Sequence, residues 1–149
     1  MTGVRLATLA DEESARTILD EYNDAVGVVL RDDRAALRNY LGGAGAFWLA
    51  QDGDNSVGCI AFRPLPQIGP EAGEVKRLYV RPAHRGSHVA DALLDALESQ
   101  ARADGYRALY LDTHDGLQAA LRFYTRRGYE PITRYNDNPQ ATIFMRHLL

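Results

Sequence analysis

The sequence predicts an α/β fold built on a mixed sheet. Three observations predict it. Strand-like and helix-like runs are intermixed along the 149 residues. A turn signal, Asp52-Gly53-Asp54-Asn55, joins two strand-like runs near the front as a hairpin. An extended run beginning at Glu74 passes through a turn containing Pro82 and Gly86 into an amphipathic helix. At 46% hydrophobic content the chain can bury roughly two thirds of its unfolded surface, enough for a core without staples. With no repeat, low-complexity tract or linker, residues 1–149 read as one domain.

The elements follow in order. Val4 to Ala7 reads as a short strand, and a helix runs from about Asp11 to Val29, with Thr8 or Asp11 to cap it. A second helix covers about Asp33 to Leu41 before Gly42, Gly43 and Gly45 break the chain. Phe47 to Gln51 and Ser56 to Arg63 form the hairpin, and a Pro- and Gly-rich loop from Pro64 to Gly73 leads to the Glu74 strand. After the next helix ends near Asp104-Gly105, a strand covers Ala108 to Asp112. A helix containing Tyr124 follows, then strands around Pro131 to Tyr135 and Thr142 to His147.

The segment Glu74 to Leu94, EVKRLYVRPAHRGSHVADALL, carries the most chemistry. Val75, Leu78, Tyr79 and Val80 favour a strand, and Pro82 biases Arg81 away from helix. Val89, Ala90, Leu93, Leu94, Leu97 and Ala101 share a helical face, with Asp91, Asp95 and Glu98 expected to point outward and Ser87 to serve as N-cap. A helix start offers unpaired amides and partial positive charge, so phosphate is a natural ligand for the strand, loop and helix together. A plain connecting loop would have the same outline.

Arg85-x-x-His88-x-Ala90 resembles the pyrophosphate loop of GNAT-type N-acetyltransferases, which runs Gln or Arg, two residues, Gly, one residue, then Gly or Ala. The first and last positions match. His88 replaces the middle glycine, so either its ring turns outward or it crowds the phosphates. Ala120-Leu121-Arg122-Phe123-Tyr124-Thr125-Arg126-Arg127-Gly128-Tyr129 is similar to that family's late helix and its exit. Leu117, Ala120, Leu121 and Tyr124 share one helical face there, and Gly128 is placed to end the helix. Tyr124 either packs that helix onto the sheet or, as the resemblance implies, sits beside the coenzyme sulfur and protonates the leaving thiolate.

The resemblance implies a mostly antiparallel sheet of about seven strands with flanking helices, splayed open between the Glu74 and Ala108 strands. Acetyl-CoA would then be the acyl donor. Its phosphates would lie on Arg85, Gly86, Ser87, His88, Val89 and Ala90, and its pantetheine arm on the backbone of Leu78, Tyr79 and Val80. The acceptor would be the amine of a small molecule. Glu74 stands eleven positions ahead of Arg85, where some such enzymes carry a glutamate base. Otherwise it is an exposed strand-end carboxylate or a partner of Lys76 or Arg77, and a bulge in the strand would reset which way each residue faces. A non-catalytic sensor of CoA thioesters and a protein lysine acetyltransferase are the alternatives.

A formal charge of −3 argues against nucleic-acid binding, and the basic clusters Arg77 to Arg85 and Arg122 to Arg127 fall inside the two motif segments. The single cysteine, Cys59, sits in an apolar run and reads as a buried small hydrophobe. His84, His88, His114 and His147 have no metal-site spacing. The absence of a signal-like or membrane-spanning run makes the cytoplasm the expected location. Association as a homodimer stays open. Tyr135-Asn136-Asp137-Asn138-Pro139 reads as an Asx-rich turn, and in similar bacterial proteins such a segment borders the acceptor pocket.

Overall fold

The computed structural model describes residues 2–28 and 31–149, so Val29, the expected end of the first helix, lies outside the described residues. Seven strands form one sheet: β1 Thr2–Leu6, β2 Ala46–Asp52, β3 Asn55–Pro64, β4 Ala72–Val80, β5 Ala108–Thr113, β6 Glu130–Ile132 and β7 Ile143–Leu148. Their spatial order is β1-β2-β3-β4-β5-β7-β6. Every neighbouring pair is antiparallel except β4 and β5, which run parallel.

Helices cover both faces. On one face, α1 (Glu12–Val26) and α2 (Arg34–Gly42) bury Ile18, Leu19, Leu37 and Leu41 against Phe47, Leu49, Cys59 and Ala61. On the other, α3 (Val89–Ala103) buries Leu93, Leu94 and Leu97, each fully removed from water, and α4 (Gln118–Arg126) adds Tyr124. Burying a leucine side chain contributes roughly 1.5–3 kcal/mol, so the α3 stripe anchors this face. The inner strand β3 is buried from Val57 to Phe62, the near-continuous apolar run of a strand covered on both sides.

Local chemistry explains the ends. The Thr8 amide donates to Asp11 Oδ2 at 2.8 Å ahead of α1, and the Asp33 carboxylate caps α2 by accepting from the Ala36 amide at 2.8 Å. Gly128 takes φ 91° and ends α4 as expected. The late strands differ from the sequence expectation: β6 is only three residues long, and Tyr135 lies beyond it in an irregular segment. Glu98 also differs. It is 5% exposed rather than outward, because Arg127 Nη2 donates to its Oε1 at 2.7 Å and the Tyr129 hydroxyl donates to its Oε2 at 2.9 Å. Arg127 further binds Asp91 and Asp95, so it braces α3 against the end of α4.

Candidate active site

The parallel pair β4 and β5 is joined only at Ala72↔Ala108, Gly73↔Leu109 and Glu74↔Tyr110. Beyond Glu74 the two strands part, leaving the β4 edge toward β5 open from Val75 to Val80 while its other edge stays paired with β3. The gap opens into a cavity of about 730 Å³. Its walls come from β4, the Arg81–His88 turn, the start of α3, the end of β5, α4 and the Tyr22–Val26 part of α1.

A bulge organises β4. The register with β3 runs Gly58↔Val80 and Cys59↔Tyr79, then shifts to Ala61↔Lys76, and Arg77 adopts φ 59° at the shift. Val75, Leu78 and Val80 thereby all pack with the α3 face, while Tyr79 joins the α1 face. Arg77 lies on that α1 side too, donating to both Asp32 oxygens at 2.8 and 3.2 Å and lying 5.8 Å over the Tyr22 ring. Cys59 is fully buried as expected, and burial pushes its thiol far up, out of the nucleophile range.

The phosphate-type loop follows β4. Gly86 has φ 80° and His88 has φ 65°, the left-handed backbone that the loop pattern fills with glycine at the second position. The His88 side chain is 88% exposed, with Nδ1 3.5 Å from Asp91 Oδ2, so the ring turns outward. Ser87 is not the N-cap: its hydroxyl donates to the His84 carbonyl at 2.5 Å, and His88 occupies the cap position. Arg85 folds back, donating to the Val80 carbonyl at 2.9 Å, and stiffens the turn. The first helical bond of α3 is Ala92 to the His88 carbonyl, so the amides of Val89, Ala90 and Asp91 face out of the helix end. Arg126, 61% exposed on α4, reaches the same mouth.

Tyr124 lines the cavity on the α4 side at 7% exposure and packs edge-on against Phe123 and Tyr129. Burial pushes its phenol well above the ordinary tyrosine value, which keeps it protonated and a hydrogen-bond donor.

Glu74 is buried rather than an exposed strand-end carboxylate. Arg63 Nε donates to its Oε1 at 2.6 Å, Lys76 Nζ lies 3.5 Å from the same oxygen, and the Tyr135 hydroxyl donates to Oε2 at 2.6 Å. Its cations are therefore Arg63 and Lys76, not Arg77. Asn136 donates to Asp112 Oδ2 at 2.6 Å, and Gln140 Nε2 donates to the Gly27 carbonyl at 3.1 Å. The segment from Tyr135 to Gln140 thus closes over the α1 side of the gap, and it holds an Asx turn as well, with the Asn138 amide on Asn136 Oδ1 at 3.0 Å.

Sequence reasoning placed Arg85 to Ala90, Leu78 to Val80 and Tyr124 around one space, and the structure brings all of them to the cavity or its rim, Ser87 excepted from its wall. It did not place Arg63 and Tyr135 on Glu74, because those contacts cross 11 and 61 residues of chain. Among the described residues no cluster of His, Cys, Asp or Glu forms a metal site, and no helix is long and apolar enough to cross a membrane.

Residues 9–129 match the acetyltransferase (GNAT) family. The chain belongs to that family. It is 32% identical over 144 residues to an uncharacterized N-acetyltransferase from Schizosaccharomyces pombe, covering 91% of this chain and 87% of that one. It is 33% identical over 112 residues to N-acetyltransferase 8F1 of Rattus norvegicus, covering 73% of this chain and 51% of the relative. The chain spans about half the length of the rodent relatives that it matches. Among solved structures, a GNAT acetyltransferase from Staphylococcus aureus superposes with a TM-score of 0.84 at 21% identity, covering 99% of both chains. N-acetylglutamate synthase from Neisseria gonorrhoeae, solved with coenzyme A and N-acetyl-glutamate, superposes at 0.82 and 18% identity, covering all of this chain and 35% of that one. The mostly antiparallel, seven-stranded α/β architecture is that of the GNAT acyltransferases.

Proposed function

We propose that residues 1–149 act as a single acetyl-CoA-dependent N-acetyltransferase domain whose acceptor is the amine of a small molecule. The observation that carries this reading is the continuous cavity between the parted strands, with the α3 helix start at one end and a cluster of ionisable side chains on β4 at the other. The phosphates of the donor would meet the outward amides of Val89, Ala90 and Asp91 together with Gly86 and Arg126. The pantetheine arm would lie along the open edge of Leu78, Tyr79 and Val80 as an added strand. N-acetylglutamate synthase, similar in fold, holds coenzyme A in its solved structure.

In the reaction, the neutral amine attacks the thioester carbonyl, the developing oxyanion needs a donor, and sulfur leaves as thiolate. Tyr124 supplies a hydrogen bond to that sulfur. Burial keeps the phenol protonated, and the departing thiolate takes its proton from Tyr124 or from water. Glu74 serves as base through a carrier, because Arg63 and Tyr135 already occupy its two oxygens, and the Tyr135 hydroxyl or a water relays the proton. The closure of the acceptor side by Tyr135 to Gln140 favours a small acceptor over a protein tail. The outward ring of His88 leaves the loop amides open, which supports coenzyme binding at the loop.

A screen of amines with acetyl-CoA, reading free thiol, tests the proposal. The expected result is amine-dependent thiol release that falls strongly in Tyr124→Phe while coenzyme affinity is kept. Unchanged turnover in that variant would remove Tyr124 from the chemistry.

A further inference from the structure

The chain carries 17 cationic Lys and Arg residues, and all but one are arginine. The single lysine is Lys76, on β4 two residues past Glu74, where the strands begin to part. Arginine stays charged everywhere in a protein, whereas a lysine can lose its proton and become a nucleophile when buried. The one position with that capacity lines the cavity.

Direction along β4 places Lys76 at the reacting end. Phosphates held at the start of α3 put the pantetheine arm on Val80, Tyr79 and Leu78 in turn, so its thioester arrives at the bulge, beside Arg77 and Lys76. Lys76 shares the α1 side of the sheet with its partner Glu74. That is the side opposite α3 and α4, where the proposed function puts the acceptor end.

Lys76 is also the less firmly held of two cations. Arg63 takes Glu74 Oε1 at 2.6 Å, and Lys76 stands 3.5 Å from the same oxygen with its side chain 13% exposed. The groups facing it are Glu74 and Arg77 on its own strand, Arg63 on β3 and Asp112 on β5. Two of these are cations, and Asp112 is engaged by Asn136. Burial lowers the ammonium pKa against the pull of Glu74, which raises the fraction of free amine.

We propose that Lys76 is itself an acetyl acceptor, modified by the acetyl-CoA bound in its own cavity. The Nζ lone pair forms a bond to the thioester carbonyl carbon, and the intermediate collapses by breaking the C–S bond. The nitrogen gives its proton to Glu74 or water, the thiolate takes one from water, and the products are acetyl-Lys76 and free CoA. The modification would neutralise the spare cation and lengthen the side chain into the acceptor end, so it would lower turnover of added amine.

This inference rests on acetyl-CoA occupying the cavity, and the test separates the two. The purified protein is incubated with acetyl-CoA across pH 7 to 9.5 without added amine. Intact mass and peptide mapping follow, with calorimetric binding of unacetylated CoA measured on the same sample. The expected result is one acetyl group per chain on Lys76, forming faster as pH rises, suppressed by excess CoA and absent from Lys76→Arg and from urea-unfolded protein. CoA binding without an adduct on Lys76 would overturn the inference and leave the proposed function standing. An adduct that forms equally in unfolded protein, or elsewhere than Lys76, would overturn it as well. Absence of CoA binding would overturn both.

Discussion

Glu74→Gln separates a carboxylate that organises the site from one that merely sits at a strand end. Gln keeps the volume and can still accept from Arg63 and meet Tyr135, so the change removes charge alone. Two contacts weaken, the 2.6 Å bond from Arg63 and the 3.5 Å approach of Lys76, and the Arg63 and Lys76 cations are left facing each other. A hydrogen bond to a charged group contributes about 1.5–3 kcal/mol against about 1 for a neutral pair. Arg63 is 42% exposed, and solvent screening discounts its share. The net loss is about 1–2 kcal/mol. For a chain of this size that lowers Tm by roughly 2–8 °C. Differential scanning fluorimetry, confirmed by urea denaturation, measures it, and Glu74→Ala should cost more because the Tyr135 hydroxyl also loses its acceptor. A Glu74→Gln protein as stable as the parent would refute the reasoning, since the carboxylate would then not be the charge centre of this cluster.

Three further outcomes are expected. His88→Gly relieves a left-handed backbone that costs a non-glycine residue on the order of 1 kcal/mol, partly offset by the greater freedom of glycine when unfolded. Stability should therefore change by less than about 1 kcal/mol, and coenzyme affinity by calorimetry should be kept or improved, whereas weaker binding would make the imidazole a phosphate donor. Glu98→Ala leaves Arg127 paired with Asp91 and Asp95 but removes one of its carboxylates and the acceptor of the buried Tyr129 hydroxyl, so a loss of about 1–3 kcal/mol is expected in urea denaturation. The Arg5 guanidinium lowers Asp11 to about 2 from its ordinary 3.8. A carboxyl depressed in the folded state adds stability that is complete above about pH 4 and is lost as pH falls through its folded value. Arg5→Ala should lower stability modestly near neutrality and flatten its fall between about pH 4 and 2, so that parent and variant converge at low pH, measured by urea midpoints.

Periodicity and turn chemistry made most of the frame legible in the sequence. The stripe Leu93, Leu94 and Leu97 found the sheet-facing side of α3, Asp33 and Gly128 marked helix ends, and Asp52-Gly53-Asp54-Asn55 marked the hairpin. What stayed hidden were contacts closed by tertiary packing. Glu98 read as outward because its partners, Arg127 and Tyr129, lie 29 and 31 residues away on another element. Tyr135 read as part of a strand, yet its hydroxyl is committed to Glu74 and its segment closes the gap. The facing of Lys76 and Arg77 was not decidable from alternation, since the bulge at Arg77 resets the parity of β4. The loop pattern drew attention to Arg85, and in the structure the Arg85 side chain holds the turn while unpaired backbone amides point out of the α3 start.

Calorimetric titration with acetyl-CoA, compared with CoA lacking the acetyl group, tests the central claim most directly. The account predicts micromolar binding of both, with His88 in place. No binding up to millimolar coenzyme would contradict it, since the open β4 edge and the α3 helix start would then lack the ligand assigned to them.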